Sequence, residues 1–429
     1  MPGDPTLAKD GEPPSAHRQL PSAMHGTMTS TARIRVGIRD GDMSGQDNRV
    51  LQAAVDYVAS LGGGTVEIGE GEFLMRDSLH LRPNVVVRGR GAQTVLRKAR
   101  GFSSPLELDG DYGEEQITLK NLEGFQVGDG VAIWDKNSGG FHTTVARITG
   151  QNGHSLSLSL PLNADCMAEN GAQAATVFPV ISAYFVDHAT VEDLTVEGNR
   201  DENPHLNGCR GGGIFLYRCP AAVLKRCTVR RFNGDGISFQ QCNDVEVIAC
   251  ASEQNASLGI HPGSGSQRPH VLDCVARGNG EDGLFLCWRV KNGVFENNRL
   301  EGNGRFGISI GHKDTDNILR NNQVIANSED GIFFRNESEG MAGHRNRLEN
   351  NLIENNGLKQ EVSGIRVRGA TRDLVMKGNI IRDTRSGVDR RQNTGIRFEE
   401  NVGDVITEGN QIDASTPISD RRKGMKDLP

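Results

Sequence analysis

The chain has 429 residues, 54 of them glycine, with 36% hydrophobic and 5% aromatic residues and a net charge of −7. So much glycine with so few aromatics argues against packed helices and for many short strands joined by tight turns. The negative charge gives no case for nucleic acid as a partner, and the absence of an 18-residue apolar run excludes a predicted membrane-spanning helix.

Residues 1–33 open with MPGDPTLAKDGEPPSAHRQLPSAMHGTMTS. This mixture of Pro, Gly, Ser and charge lacks the apolar core of a secretory signal. It reads as a disordered tail, and the expected location is by default the cytoplasm. In 34–110, Val50, Leu51, Ala54, Val55 and Val58 recur at helical spacing and Gly62 ends the run. That predicts one amphipathic helix followed by short strands. Across 111–178, FQVGDGVAIW, HTTVARITG and HSLSLSLPL predict hairpin strands, hence a small β insertion.

From 179 to 418 a repeat takes over, leaving 419–429 as a C-terminal tail. A glycine followed by a short apolar strand recurs at Gly213, Gly236, Gly259, Gly283, Gly307, Gly331, Gly364 and Gly395. The spacing is 23 or 24 residues, widening to 33 and 31 at the end. A second marker follows in Cys227, Cys250, Cys274, Asn298, Asn322, Asn351, Asn379 and Asn410, and a third in Asn255, Asn279, Asn303, Asn327 and Asn356. A period this short, without helical periodicity, fits three short strands per coil, with coils stacked about 4.8 Å apart. Stacked asparagines would then form amide ladders, and stacked cysteines would be reduced packing residues. The insertion GNRDENPHLNGCRGG (198–212) lengthens one turn and is a candidate wall for a groove.

This organisation resembles the right-handed parallel β-helix of the pectate-lyase-like superfamily, an all-β solenoid. The entry segment DGDMSGQDNRVLQAAVDYVASLGGGTVEIGEGEF (40–73) is similar to that superfamily's N-terminal signature, in which a helix caps the first coil. The resemblance implies a carbohydrate-directed protein and admits calcium as a cofactor, although no compact carboxylate cluster requires the ion. GIHPG (259–263) resembles the Asp-Pro-His motif of β-helical alginate epimerases, with the Asp absent and the order reversed. NGDGI (233–237) and GISIG (307–311) are similar to stretches of polygalacturonase-type hydrolases, but the paired Asp of that family's next coil is missing here, where SLGIHPG stands. No catalytic role is carried over from either.

Aligning each coil on its glycine separates turn residues from candidates. Asp244, Asn292, Asp316, Asp373 and Asp404 share one column and read as turn formers, as do Asp235, Asp282 and Asp330 before their glycines. His312, Lys313 and Asp314 follow no such column. Three consecutive coils place Trp288, His312 and Asn336 in one column and Arg289, Lys313 and Glu337 in the next. Stacked like charges destabilise a sheet, so Arg289 above Lys313 suggests an anionic ligand between them; the nearby carboxylates Asp314 and Glu337 are the alternative partners. The outward column Tyr217, Gln240, Gly263, Cys287, Gly311, Arg335, Arg368 has small residues at its centre and predicts a shallow groove, with His261 projecting outward about 10 Å along the axis. Arg366 extends the basic strip.

These residues point to an acidic, uronate-containing poly- or oligosaccharide. The chemistry would be proton abstraction α to the carboxylate, by a lyase or a C5-epimerase. His312 or Lys313 would be the base, His261 a second proton-transfer group, and Trp288, Arg289, Arg335, Asn336, Glu337, Tyr217, Gln240, Arg366 and Arg368 the substrate contacts. An inverting glycoside hydrolase using Asp314 and Glu337 is the second reading. A non-catalytic glycan-binding solenoid is the third. No metal ligand is assigned, and a monomer without nucleic-acid or membrane partners is expected.

Overall fold

The computed structural model describes residues 30–422. Among them, three parallel sheets of 13, 11 and 11 strands run the length of the molecule, and a separate six-stranded sheet stands beside them. Each coil contributes one strand to each long sheet. Residues pair with their equivalents one coil on, as Ile237 with Ile260, Val247 with Val271 and Ser252 with Ala276. The inward side chains make one continuous apolar core from Val36 to Val402.

The helix spans Asn48–Ser60 and buries Leu51, Ala54, Val55 and Val58 against the first strands. Asp47 caps it by accepting from Arg49 N–H at 3.0 Å. By covering the first coil, the helix keeps the apolar interior of the solenoid from water. The chain enters the sheet earlier than the sequence suggests: Ala32–Gly37 is already a strand, paired along its length with Gly64–Ile68. Arg33 therefore belongs to the fold, because Ile34 and Val36 pack beneath the helix. Of the expected N-terminal tail, residues 1–29 lie outside the described residues, as do 423–429 at the other end. The last strand, Thr416–Asp420, pairs with Thr394–Phe398 and so overlaps the start of the expected C-terminal tail.

The six-stranded sheet has its own core of Leu106, Ile117, Phe125, Ile133, Ile148 and Leu156. It opens at Ser103–Pro105, before residue 111, because that strand pairs antiparallel with Gln173–Ala175 and closes the unit.

Amide ladders run through the turns. Asn279 N–H donates to Asn303 Oδ1 at 3.1 Å, Asn303 to Asn327 and Asn327 to Asn356, each at 3.0 Å. Gln392 ends this ladder in place of an asparagine, accepting from Asn356. In the other ladder Cys250 N–H donates to Cys274 Sγ and Cys274 N–H to Asn298 Oδ1, after which asparagines continue to Asn410. All eight cysteines are free. Each rung satisfies a buried backbone donor that no strand partner can reach.

Candidate functional site

The outer face of one 11-stranded sheet carries the residues singled out from the sequence. Its strands Ile214–Tyr217, Ile237–Gln240, Ile260–Gly263, Leu284–Phe285, Ile308–Ile310, Ile332–Phe334 and Ser363–Val367 stack in register. Alternation along each strand turns Ser238, His261, Phe285 and Ser309 to the outside, and the turn that follows carries Trp288, His312 and Glu337.

His312 is the centre of this face. Its Nε2 lies 2.9 Å from Glu337 Oε1 and its Nδ1 3.4 Å from Cys287 Sγ. An ionised carboxylate only accepts, so Nε2 carries the proton and Nδ1 faces the thiol as an acceptor. The Trp288 indole stacks on the imidazole, with centroids 5.2 Å apart and planes at 26°. Partial burial and the nearby Arg335 charge push the His312 pKa below its ordinary value, against the pull of Glu337, so the ring is neutral at pH 7. Trp288, Arg289, His312 and Lys313 all have positive φ, between 47° and 69°. Two coils thus repeat a left-handed turn that aims these side chains outward. Lys313, Arg289 and Asn336 are exposed, and neither cation has an acidic partner among the described residues. The Arg289 guanidinium lies 5.3 Å from the centre of the indole.

Asp314 is different, and here the expectation is corrected. It is fully buried. Its carboxylate accepts from Val290 N–H at 2.9 Å, Gly311 N–H at 3.1 Å and Arg335 Nη2 at 3.1 Å. This is the role Ser266 plays for Cys242 N–H two coils earlier. The column was therefore an inward turn cap, unrecognised because its members differ in chemical type. Asp314 reaches no substrate, and the hydrolase pairing of Asp314 with Glu337 falls with it.

Arg335 is committed as well. Its guanidinium folds over Gly311, donates to Ser309 Oγ at 2.7 Å and Leu286 O at 2.5 Å, and covers the Phe285 ring at 4.6 Å. A Cβ at residue 311 would lie 2.7 Å from Arg335 Nε, so the glycine makes room for it. Arg366 is tied to Glu399 at 2.8 Å, whereas Arg368 is partly exposed, 6.0 Å from the Phe333 ring. The basic strip thus reduces to Arg289, Lys313 and Arg368 as free cations.

His261 also departs from expectation. It is buried, and its Nδ1 lies 2.7 Å from Asp235 Oδ2. The 198–212 segment lies across this part of the face: Gly208 O accepts from Ser238 Oγ at 2.8 Å, and Gly208 sits against Asp235. Asp235 also accepts from Leu258 N–H, the turn role assigned to it, while holding the imidazole. His261 therefore has no path to a substrate lying on the His312 face. Gln240 is buried too, folded over Gly263 with Nε2 donating to Ser238 Oγ. Tyr217 stands three coils from Cys287 in an aromatic group with Tyr184 and Phe185, flanked by Arg210 and Arg218. It does not join the His312 cluster.

Asp316 forms its turn at φ 65° and is paired with Arg345 at 2.6 Å, as Asp244 is with Arg268 three coils earlier. Among the described residues no group of three or more His, Cys, Asp and Glu is arranged to hold a metal ion. No described helix is long and apolar enough to cross a membrane.

Fold and face together define a right-handed parallel β-helix protein. Residues 180–342 match the family model described as a right handed beta helix region. Among solved structures, the chain is similar to the A-modules of two mannuronan C-5 epimerases of Azotobacter vinelandii. For AlgE4 the identity is 15% and the TM-score 0.54, over 91% of this chain and 100% of that one; for AlgE6 they are 14% and 0.50, over 88% and 96%. It is also similar to the surface protein and adhesin PfbA of Streptococcus pneumoniae, at 12% identity and TM-score 0.52, over 87% and 96%. No curated protein sequence matches it.

Proposed function

We propose that the Trp288–His312–Glu337 face binds an acidic sugar chain and that His312 abstracts the proton α to the uronate carboxylate. The observation that carries this reading is an imidazole oriented by a carboxylate 2.9 Å away and bordered by the unpaired cations Arg289 and Lys313, with burial and Arg335 lowering its pKa. A base α to a carboxylate needs nearby positive charge to hold the developing enolate, and these two side chains supply it. His312 Nδ1 is the accepting atom; the Cys287 thiol, a weak donor, yields it when substrate arrives. Glu337 holds the tautomer and balances the imidazolium that forms. Elimination of the 4-oxygen would make the protein a lyase, and reprotonation from the opposite face an epimerase. The mannuronan C-5 epimerase modules among similar structures provide a precedent for a sugar polymer on this architecture.

The test is a panel of uronate-containing glycans, followed by ultraviolet absorbance of unsaturated products and by NMR for inverted C5 centres. His312→Ala should lower the rate by about 10²–10⁴-fold, the usual contribution of a positioned base. An undiminished rate in that variant would sink the assignment. Binding without either product across the panel would leave the face as a glycan-binding surface.

A further inference from the structure

Six of the eight cysteines are buried; Cys209 and Cys287 are the partly exposed pair. Cys287 alone of these two has a histidine within hydrogen-bonding distance, and that histidine is itself held by a carboxylate. We infer that Cys287, His312 and Glu337 form a nucleophile–base–orienter triad able to transfer an acyl group from a small carboxylic ester.

The geometry supplies each part such a reaction needs. The thiol faces His312 Nδ1, the nitrogen left unprotonated by the Nε2–Glu337 contact. Trp288 stacking prevents the ring from turning away. Arg335, folded across Gly311 in the next coil, brings positive charge near the sulfur, and its buried Nε has no hydrogen-bond partner. On the other side, Gln240 lies buried over Gly263, the residue paired with Cys287, and its Oε1 also lacks a partner. The backbone N–H of Trp288, immediately after the thiol, makes no hydrogen bond within the described residues. It is placed where an N–H following a nucleophile can receive an ester oxyanion. Burial raises the thiol pKa, so the sulfur is a neutral thiol at rest and loses its proton as it attacks.

The step balances with water as the second substrate. The S–H proton passes to His312 Nδ1 as sulfur bonds to the ester carbon. The carbon–alkoxide bond then breaks, and the alkoxide takes that proton to leave as the alcohol. Water, deprotonated by the same nitrogen, hydrolyses the thioester to the acid and restores the thiol. The inference shares His312 with the sugar reading but neither its substrate nor its assay.

Two measurements on the full chain test it without any glycan. Iodoacetamide labelling over pH 5–10, read by peptide mass spectrometry, should modify Cys287 at least tenfold faster than Cys209: burial raises both thiols, Cys287 the more, and only Cys287 has a histidine to take its proton. Glu337→Gln and His312→Gln should each slow Cys287 labelling at least tenfold and move its pH midpoint, which a packing role would not do. With p-nitrophenyl acetate, the wild type should gain one acetyl group at Cys287, removable by hydroxylamine and absent in Cys287→Ala. Labelling no faster than at Cys209, a rate indifferent to both variants, or labelling without acetyl transfer would each overturn the triad.

Discussion

Replacing Asp314 by alanine separates a structural from a catalytic role for the most conspicuous acid near the site. The carboxylate is inaccessible to solvent and holds three donors: the N–H groups of Val290 and Gly311 and the Arg335 guanidinium. Its removal leaves a largely buried charge uncompensated, at a cost of about 3–5 kcal/mol. Two orphaned N–H groups, each worth about 1–3 kcal/mol when unmet, make about 5 kcal/mol the lower bound of the combined loss. A substitution at an exposed acid would fall within about 0.5 kcal/mol of zero. Because a solenoid can open coil by coil, the informative assay is amide hydrogen exchange with thermal denaturation as a companion. Protection should fall locally at Val290, Gly311 and the Leu284–Phe285 strand, and the thermal midpoint should drop. Combining Asp314→Ala with Arg335→Met should recover part of the loss, since it removes the stranded charge. Unchanged protection at Val290, or a double variant as damaged as the sum of its parts, would refute the inward-cap assignment.

Asp282 is expected to make stability depend on pH. It is buried with one oxygen unpartnered, and burial pushes its pKa up to about 7. A carboxyl raised in the folded state stabilises fully below the unfolded pKa near 4, and that contribution is lost as pH rises through about 7. Asp282→Asn keeps an acceptor for Phe306 N–H and should gain up to about 4 kcal/mol relative to wild type at pH 8, and far less at pH 5. Equal midpoints for the two proteins at both pH values would show the carboxyl is not raised. Asn303→Ala breaks the amide ladder on both sides, orphaning Asn279 N–H and Ala276 O; a loss of about 2–4 kcal/mol is expected by analogy with unmet buried polar groups, read as local exchange in neighbouring coils. Arg289→Ala and Lys313→Ala should raise KM for an acidic glycan several-fold, and the effect should shrink with salt. A salt-independent change would point instead to lost packing on Trp288.

Periodicity alone makes the architecture legible in the sequence. A glycine every 23 or 24 residues, with Cys or Asn at fixed offsets, allows only a stack of short coils, and identical residues must then fall above one another. The left-handed turns at Asp244, Asn292, Asp316 and Asp373 were legible for the same reason, because each recurs in its column. What repetition does not encode is contact across columns and from insertions. His261 sits at an outward position in its strand, yet the 198–212 segment folds over it and Asp235 claims its ring. Asp314 shares its column with Ser266 and Val290, which have no chemistry in common on paper, yet Ser266 and Asp314 both point inward and each caps a backbone N–H of the preceding coil. Arg335 looked free until its reach across Gly311 to Leu286 O brought it two coils back. The sequence by itself determined the coil, its ladders and the neighbourhood of Trp288, His312 and Glu337, because those follow from register. Only the tertiary structure decided which of these polar groups face water, since a long side chain or a loop from another coil can cover a position that its own strand leaves open.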